Sequence, residues 1–177
     1  MEHRITLPLK EEDIKNLKAG DSVFLTGVMY TGRDQAHKRI FNMIQNGEEL
    51  PFDLKDQTIY YVGPCPKPVG MAIGSCGPTT SYRVDVFTPT MLENGIKGMI
   101  GKGKRGDEVI ESMVKNGAVY FSATGGAAAL YASCVKKCDL IAFEDLLSEA
   151  VYRLEVEDFP VIVAIDSFGN SLYNKGE

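Results

Sequence analysis

A chain of 177 residues, 44% hydrophobic and 24% charged, is typical of one soluble globular domain, because two separate cores of this total size would each be small. We therefore expect a single domain over residues 1–177. The net charge of −5 argues against nucleic acid as the main partner, and no apolar run reaches the roughly 20 residues of a membrane span. The N-terminal residues lack the apolar region of a signal peptide, so the expected location is cytoplasmic.

The first part of the chain predicts two strands and two helices, since alternating apolar residues and apolar residues at helical spacing follow one another. In order, these are a strand from Arg4 to Leu9, a helix from Glu11 to Leu17, a strand from Ser22 to Tyr30, and a helix with apolar residues from Ala36 that ends at Gly47. Arg33 therefore falls at a junction between a strand and a helix.

A long irregular segment follows the next predicted strand, Thr58–Val62. Residues 63–81 contain four prolines and four glycines, too many for a regular element. Segments of this length inside a compact domain are usually functional or disordered, and the apolar residues within it argue against disorder. We interpret residues 63–81 as a binding loop.

The rest of the chain alternates helices and strands and then ends in consecutive strands, which predicts an α/β class with a mixed sheet. The predicted elements are a helix capped by Thr88 and ended by Gly95, a strand at 98–103, a helix at 108–115, a strand at 118–121, an alanine-rich helix ending at Val135, and strands at 139–143, 151–156 and 161–165, with Pro160 in the turn between the last two. The glycine-rich motifs of dinucleotide and nucleoside-triphosphate sites are absent from the sequence.

The segment from Gly74 to Arg83 has the composition of a site for a small anion. Gly74 and Gly77 can take positive φ and admit a ligand close to the backbone. Pro78 fixes a turn before three consecutive hydroxyl side chains, and Arg83 offers a planar fork that fits a carboxylate. An ordinary loop with a helix cap is the alternative interpretation of the same residues.

Five segments together resemble the iron–sulfur-dependent class I fumarase and L-tartrate dehydratase family, in its β subunit or the equivalent C-terminal domain. They are Leu25-Thr26-Gly27, Tyr30 to Lys38, Gly74 to Asp85, Met99-Ile100-Gly101-Lys102-Gly103, and Thr124-Gly125-Gly126-Ala127-Ala128. The resemblance implies a swivelling β/β/α fold and a hydro-lyase that interconverts fumarate and L-malate. It also implies a hetero-oligomer with an α subunit that holds a [4Fe–4S] cluster as Lewis acid.

The resemblance assigns substrate contacts to Arg33, Thr79, Arg83 and Lys102. The three cations fit a C4 dicarboxylate, which carries two negative charges. Thr79 resembles the family's proposed base, although a threonine hydroxyl needs cations that stabilise its alkoxide. Each residue has a simpler alternative: a surface ion pair for either arginine, a solvated lysine, or a helix cap.

Two further residues are candidates for support of this site. His37 lies one helical turn after Arg33 and either orients the site or packs as a hydrogen-bonded histidine. Thr80 adds a second hydroxyl beside Thr79. Asp34 and Asp85 are interpreted as residues that hold the arginines or cap helices.

The cysteines predict no metal site in this chain, because Cys65, Cys76, Cys134 and Cys138 contain no Cys-x-x-Cys pair and no His-rich segment accompanies them. This agrees with a cluster held by the α subunit. Two alternatives to fumarate hydratase stay open: an L-tartrate dehydratase β subunit, and a cluster-free module that binds dicarboxylates.

Overall fold

The computed structural model describes residues 1–174 and contains one seven-stranded sheet with helices packed against it. The strands are β1 (Glu2–Thr6), β2 (Ser22–Thr31), β3 (Thr58–Tyr60), β4 (Gly98–Gly101), β5 (Val119–Ser122), β6 (Val135–Ala142) and β7 (Val151–Ile165). The α-helices are α1 (Glu11–Asn16), α2 (Asp34–Gln45), α3 (Thr88–Glu93), α4 (Asp107–Asn116) and α5 (Ala128–Cys134). The predicted α/β class with a mixed sheet is confirmed.

The sheet closes on itself through its longest strand. β1 to β5 pair in parallel, in the order in which they occur in the chain. β7 runs antiparallel to β5, β6 and β2, so that β2, β3, β4, β5 and β7 form a closed ring. The carboxyl ends of β2, β3, β4 and β5 consequently meet at one edge of the ring.

Alternate residues of each strand enter two different hydrophobic clusters, as the two-residue repeat of a strand requires. Tyr60 and Phe121 belong to the cluster inside the ring, whereas their neighbours Tyr61 and Tyr120 belong to the cluster beneath the helices. All four rings are almost fully buried. Because both faces are covered, β3 and β4 are buried at every residue.

The predicted turn at Pro160 is absent, and one strand of 15 residues replaces the two that were expected. Pro160 lies opposite Phe24 of β2, next to a register shift between Leu25 and Gly27. Asp158 has a φ of 49° and donates its N–H to the Thr26 hydroxyl at 3.0 Å. A bulge therefore absorbs the turn signals without ending the strand.

The cap predicted at Thr88 is also wrong by one residue. Phe87 is the N-cap of α3, and Thr88 is its first residue. The Thr88 hydroxyl donates to the Val84 carbonyl at 2.8 Å instead of capping a helix N–H. Among residues 1–174, no helix is long and apolar enough to cross a membrane.

Candidate active site

The predicted site residues follow neighbouring parallel strands at the edge where their carboxyl ends meet. Arg33 comes just after β2, Thr79 is hydrogen-bonded just beyond β3, and Lys102 comes just after β4. In parallel sheets this edge is where binding loops converge. The topology therefore places these three residues on adjacent strands of one edge.

Arg33 is the N-cap residue of α2, and its guanidinium lies against Gly63. A Cβ at Gly63 would stand 2.9 Å from a terminal nitrogen of Arg33, so the glycine makes room for this side chain. The Arg33 Nε is buried without a hydrogen-bond partner among the described residues. Its nearest acid is Glu149, with Oε1 at 3.9 Å, beyond hydrogen-bond distance. Arg33 therefore has a donor to offer to a ligand.

Thr79 is fixed to the end of β3 by two hydrogen bonds to one acceptor. Its backbone N–H donates to the Tyr61 carbonyl at 2.8 Å, and its hydroxyl donates to the same oxygen at 3.0 Å. Because the hydroxyl proton points towards the carbonyl, the lone pairs of Oγ1 face away from it. Thr79 is thus presented as a hydrogen-bond acceptor.

Thr80 and Ser81 continue beside the end of β4. Thr80 forms a parallel bridge with Lys102, and the Ser81 N–H donates to the Lys102 carbonyl at 3.0 Å. A Cβ at Gly101 would stand 2.0 Å from the Ser81 hydroxyl oxygen, so only glycine permits this approach. The structure therefore brings Thr79, Thr80 and Lys102 together, and the Lys102 side chain is exposed.

Arg83 is the predicted residue that the structure does not join to the others. It lies in a short 3-10 helix (Ser81–Val84), and its side chain is exposed. No ion pair or hydrogen bond of this guanidinium occurs within the described part of the chain. It lies four residues after Thr79, and neither the ion pair of Arg33 with Glu149 nor the bridge between Thr80 and Lys102 involves it.

His37 is buried and contacts the backbone of Arg33, not its side chain. The His37 Nδ1 lies 2.8 Å from the Arg33 carbonyl, which can only accept, so this nitrogen carries the proton. Its ring meets the Tyr61 ring edge to face, with centroids 5.3 Å apart. Burial lowers the pKa of His37 to about 4, so the ring is neutral. His37 is thus a packed histidine that also fixes the start of α2.

The sequence interpretation missed Arg105, whose side chain is fully buried beneath the site. Its Nε donates to Asp85 Oδ1 at 2.6 Å. Asp85 therefore does hold an arginine, although Arg105 and not Arg83, and its other oxygen accepts the N–H of Gly106, the N-cap of α4, at 2.8 Å. In the sequence Arg105 stands in the basic, glycine-flanked run 102–106, which looks like a solvated loop and gives no sign of burial.

Gly74 is needed for close approach and not for positive φ, whereas Gly70 of the same loop has a φ of 82°. Neither Gly74 nor Gly77 has a positive φ, contrary to the expectation. A Cβ at Gly74 would lie 2.2 Å from the Cys65 carbonyl oxygen. The close approach at Gly74 is therefore between two parts of this chain's backbone and not to a ligand. The Cys65 N–H in turn donates to the Ser75 carbonyl at 2.9 Å, which closes this part of the loop.

Comparison with known proteins places the chain in a family. The sequence model of the Fumarase C-terminus family matches residues 2–176, so the chain belongs to that family, as the motifs predicted. It is 44% identical over 173 residues to a protein of Methanocaldococcus jannaschii provisionally named L(+)-tartrate dehydratase subunit beta, covering 94% of this chain and 89% of the relative.

Larger relatives align with the same region. The chain is 38% identical to fumarate hydratase 2 of Leishmania major and 36% identical to the anaerobic class I fumarate hydratase of Escherichia coli K12. These alignments cover 93% and 95% of this chain, but only 29% and 31% of the two relatives. The chain therefore corresponds to less than a third of each of these enzymes.

Proposed function

We propose that this chain, as one domain, is the β subunit of an iron–sulfur-dependent hydro-lyase that shares its active site with a cluster-bearing α subunit. The reaction we favour is the reversible hydration of fumarate to L-malate. The proposal keeps the cytoplasmic location expected from the sequence. The observation that carries it is the buried, unpartnered Nε of Arg33 at the same edge as Thr79 and Lys102.

The charges at this edge suit a dicarboxylate. Arg33 presents a buried donor, and Lys102 and Arg83 are exposed cations. An arginine fork binds a carboxylate through two parallel N–H donors, and a lysine acts as a point charge. The two carboxylates of a C4 dicarboxylate, separated by two carbon atoms, would be held by cations from different loops. Such a clamp orients the carbon atoms between them.

We assign to Thr79 the transfer of a proton to and from one carbon of the substrate. In the hydration direction its hydroxyl proton goes to one alkene carbon, the hydroxyl of water adds to the other, and the proton left from water restores Thr79. The Tyr61 carbonyl accepts from this hydroxyl and so favours the protonated form. The alkoxide must therefore be stabilised by neighbouring cations. Lys102 is one candidate, because its backbone forms a bridge with Thr80, the residue after Thr79.

The residues of this chain do not fit the cluster itself. Burial raises the pKa of the Cys76 thiol to about 12 and also raises the pKa values of Cys134 and Cys138, whereas an iron ligand must be a thiolate. Among residues 1–174, no three metal-ligating side chains are grouped. The cluster therefore belongs to the partner in this proposal, where it would supply a Lewis acid for the leaving hydroxyl.

L-Tartrate dehydration is the second candidate reaction, favoured by the relative from M. jannaschii. That protein matches this chain over 89% of its own length, as a separate subunit should, and its name refers to tartrate. Tartrate has one hydroxyl more than malate, and a single added hydrogen-bonding group can decide specificity.

The test is an assay of the assembled pair. The chain is co-expressed with the cluster-bearing α subunit of the same genome, reconstituted anaerobically, and assayed with fumarate, L-malate and L-tartrate. Turnover of fumarate and malate supports the first reaction, and turnover of tartrate alone supports the second. A pair with full cluster content that turns over none of the three contradicts both. The same pair with Thr79→Val is the control for contaminating activity.

A further inference from the structure

The buried guanidinium of Arg105 is shared among groups on several elements. Besides its ion pair with Asp85, one terminal nitrogen donates to the Thr88 hydroxyl at 2.9 Å. The guanidinium carbon lies 5.2 Å from the centre of the Tyr61 ring and 4.8 Å from the centre of the Tyr120 ring. A cation between two buried aromatic faces is held in one place and one plane.

One of these rings leads to Thr79 and Arg33. Tyr61 is the residue whose carbonyl accepts both hydrogen bonds of Thr79, so the position of its backbone sets the position of the hydroxyl. The same ring is met edge to face by His37, which donates to the Arg33 carbonyl. A shift of Tyr61 towards space vacated by Arg105 would therefore move both predicted site residues.

The second ring leads to Lys102. The Tyr120 hydroxyl donates to the Gly103 carbonyl at 2.8 Å and lies 2.7 Å from the Ser81 hydroxyl oxygen. Ser81 in turn donates its N–H to the Lys102 carbonyl. The Tyr120 side chain thus joins the two segments that carry Thr79 and Lys102.

We propose that Arg105 is a positioning residue, which holds the Tyr61 and Tyr120 rings apart and thereby sets the distance between Thr79, Arg33 and Lys102. The inference deepens the proposed function and rests on it. Arg105 does not touch the substrate. Its whole effect on the reaction passes through the two tyrosines, and a displacement of about 1 Å in a positioned group can cost about 100-fold in rate.

Arg105→Lys is the decisive variant, because it keeps the charge and loses the planar fork. An ammonium at this point can pair with Asp85. It cannot at the same time donate to Thr88 and stack on the Tyr61 and Tyr120 rings, as the planar guanidinium does. The matched control is Leu17→Ala, a fully buried side chain that precedes β2 at the opposite edge and belongs to the cluster inside the ring. Both variants are expected to lower the melting temperature.

The assembled enzyme is assayed per cluster-loaded site. We expect Arg105→Lys to lose about 100-fold in kcat with a smaller change in KM, and Leu17→Ala to keep its kcat within about twofold. Equal kcat values for both variants would overturn the proposal, because the buried arginine would then act on stability alone.

Amide hydrogen exchange separates this inference from the proposed function. In the full chain, the N–H groups of Thr79 and Ser81 should exchange faster in Arg105→Lys than in Leu17→Ala, compared at equal global stability. Unchanged exchange overturns the inference even if the enzyme is active. If the wild-type pair turns over none of the three acids, the proposed function fails while this exchange result still decides the role of Arg105.

A milder variant covers the case in which Arg105→Lys does not fold. Tyr120→Phe keeps the ring beside Arg105 and removes only the hydroxyl shared by Ser81 and Gly103. It should lower kcat and speed exchange at Ser81 in the same direction. Normal kcat together with normal exchange in Tyr120→Phe would remove the link between Arg105 and Lys102.

Discussion

Arg33 occupies an unusual position for a charged side chain, since part of its guanidinium is buried without a hydrogen-bond partner in the described chain. Surface ion pairs contribute little to stability, but loss of a desolvated charge partner is costly. The 3.9 Å separation from Glu149 is a weak interaction that a substrate carboxylate would replace. We therefore expect Arg33 to act in binding more than in folding.

We predict that Arg33→Ala weakens transition-state binding in the assembled enzyme by roughly 2–5 kcal/mol, measured as kcat/KM. Arg33→Lys should rescue poorly because it lacks the bidentate fork. Arg39→Ala is the matched control, since Arg39 lies on the same helix and pairs with Asp145 at the surface. Arg83→Ala is expected to behave like Arg33→Ala. Normal kinetics in both alanine variants with an intact cluster would show that no arginine clamp exists.

Thr79 allows a test between catalysis and structure, because its two hydrogen bonds use different atoms. Thr79→Val keeps the backbone bond to Tyr61 and loses the hydroxyl. If the hydroxyl moves a proton, kcat should fall about 100-fold or more in Thr79→Val, and Thr79→Ser should keep part of the activity. Thr90→Val, in the helix α3, is the control. An unchanged kcat with a lowered melting temperature would leave Thr79 with a structural role only.

At the scale of an element, the start of α2 depends on a neutral histidine. His37 donates to the Arg33 carbonyl, and burial lowers the pKa of His37 to about 4 from its ordinary value of 6.5. Between these pH values the unfolded chain binds a proton that the folded chain does not. The free energy of unfolding must therefore fall as the pH falls from 6.5 to 4.

The expected loss is about 1.4 kcal/mol per pH unit at its steepest, or about 3 kcal/mol over this window. Urea unfolding between pH 7 and pH 4 measures it. His37→Gln should remove this part of the pH dependence, because its amide donates without titrating. His3→Gln, which changes the other histidine of the chain, is the control and should keep the dependence. Parallel pH curves for wild type and His37→Gln would show that the folded state does take up the proton.

The loop 63–81 depends on one backbone contact that a methyl group would block. A Cβ at Gly74 would lie 2.2 Å from the Cys65 oxygen and 2.5 Å from the Pro66 oxygen, which are backbone atoms and cannot rotate away. We predict that Gly74→Ala lowers stability by about 1–3 kcal/mol and opens this loop to limited proteolysis. Gly126→Ala is the matched control, because a Cβ there meets nothing within 4 Å. Equal melting temperatures for the two variants would contradict this packing.

Sequence patterns predicted elements well wherever the local signal and the tertiary contacts agree. The helix α2 and the strand β2 were predicted closely from apolar spacing. The strand β7 was not, because Asp158 and Pro160 have the composition of a turn, and only their pairing with β2 shows that the strand continues. A Cβ at Gly74 would meet the backbone of Cys65 and Pro66, whereas a Cβ at Gly126 would meet nothing within 4 Å. Whether a glycine is crowded depends on residues far away in the chain.

The site shows the same difference between residues predicted from local sequence and residues whose role depends on distant contacts. Residues carried by motifs, such as Arg33, Thr79 and Lys102, were found at one edge of the sheet, as parallel strands require. Arg105 was missed because burial of a charge is decided by partners distant in sequence, here Asp85 and the two tyrosines. Local sequence predicts which groups carry chemistry, whereas the groups that hold them in place appear only in the fold.

At the scale of the whole molecule, charge is unevenly distributed. The chain has a net charge of −5, yet Arg33 and Lys102 follow strands β2 and β4 at one edge of the sheet, where Glu149 lies 3.9 Å from Arg33. Cations brought together without a counter-charge repel one another, which favours binding of an anion there. We expect this local field to attract an anion such as a dicarboxylate although the net charge of the protein would not.

Lys102 and Arg83 are exposed, so the proposed reaction needs a partner surface that excludes water and carries the cluster. We predict that the chain alone has no hydratase activity, and that activity rises on addition of reconstituted α subunit and saturates near one α chain per β chain. The measurement is an anaerobic titration at fixed β concentration. A Thr79→Val β chain should compete for α subunit and lower the activity in proportion to its share, because each site uses one chain of each kind. Hydratase activity from the purified chain without iron or partner would contradict the shared site, and saturation far from one to one would contradict its stoichiometry.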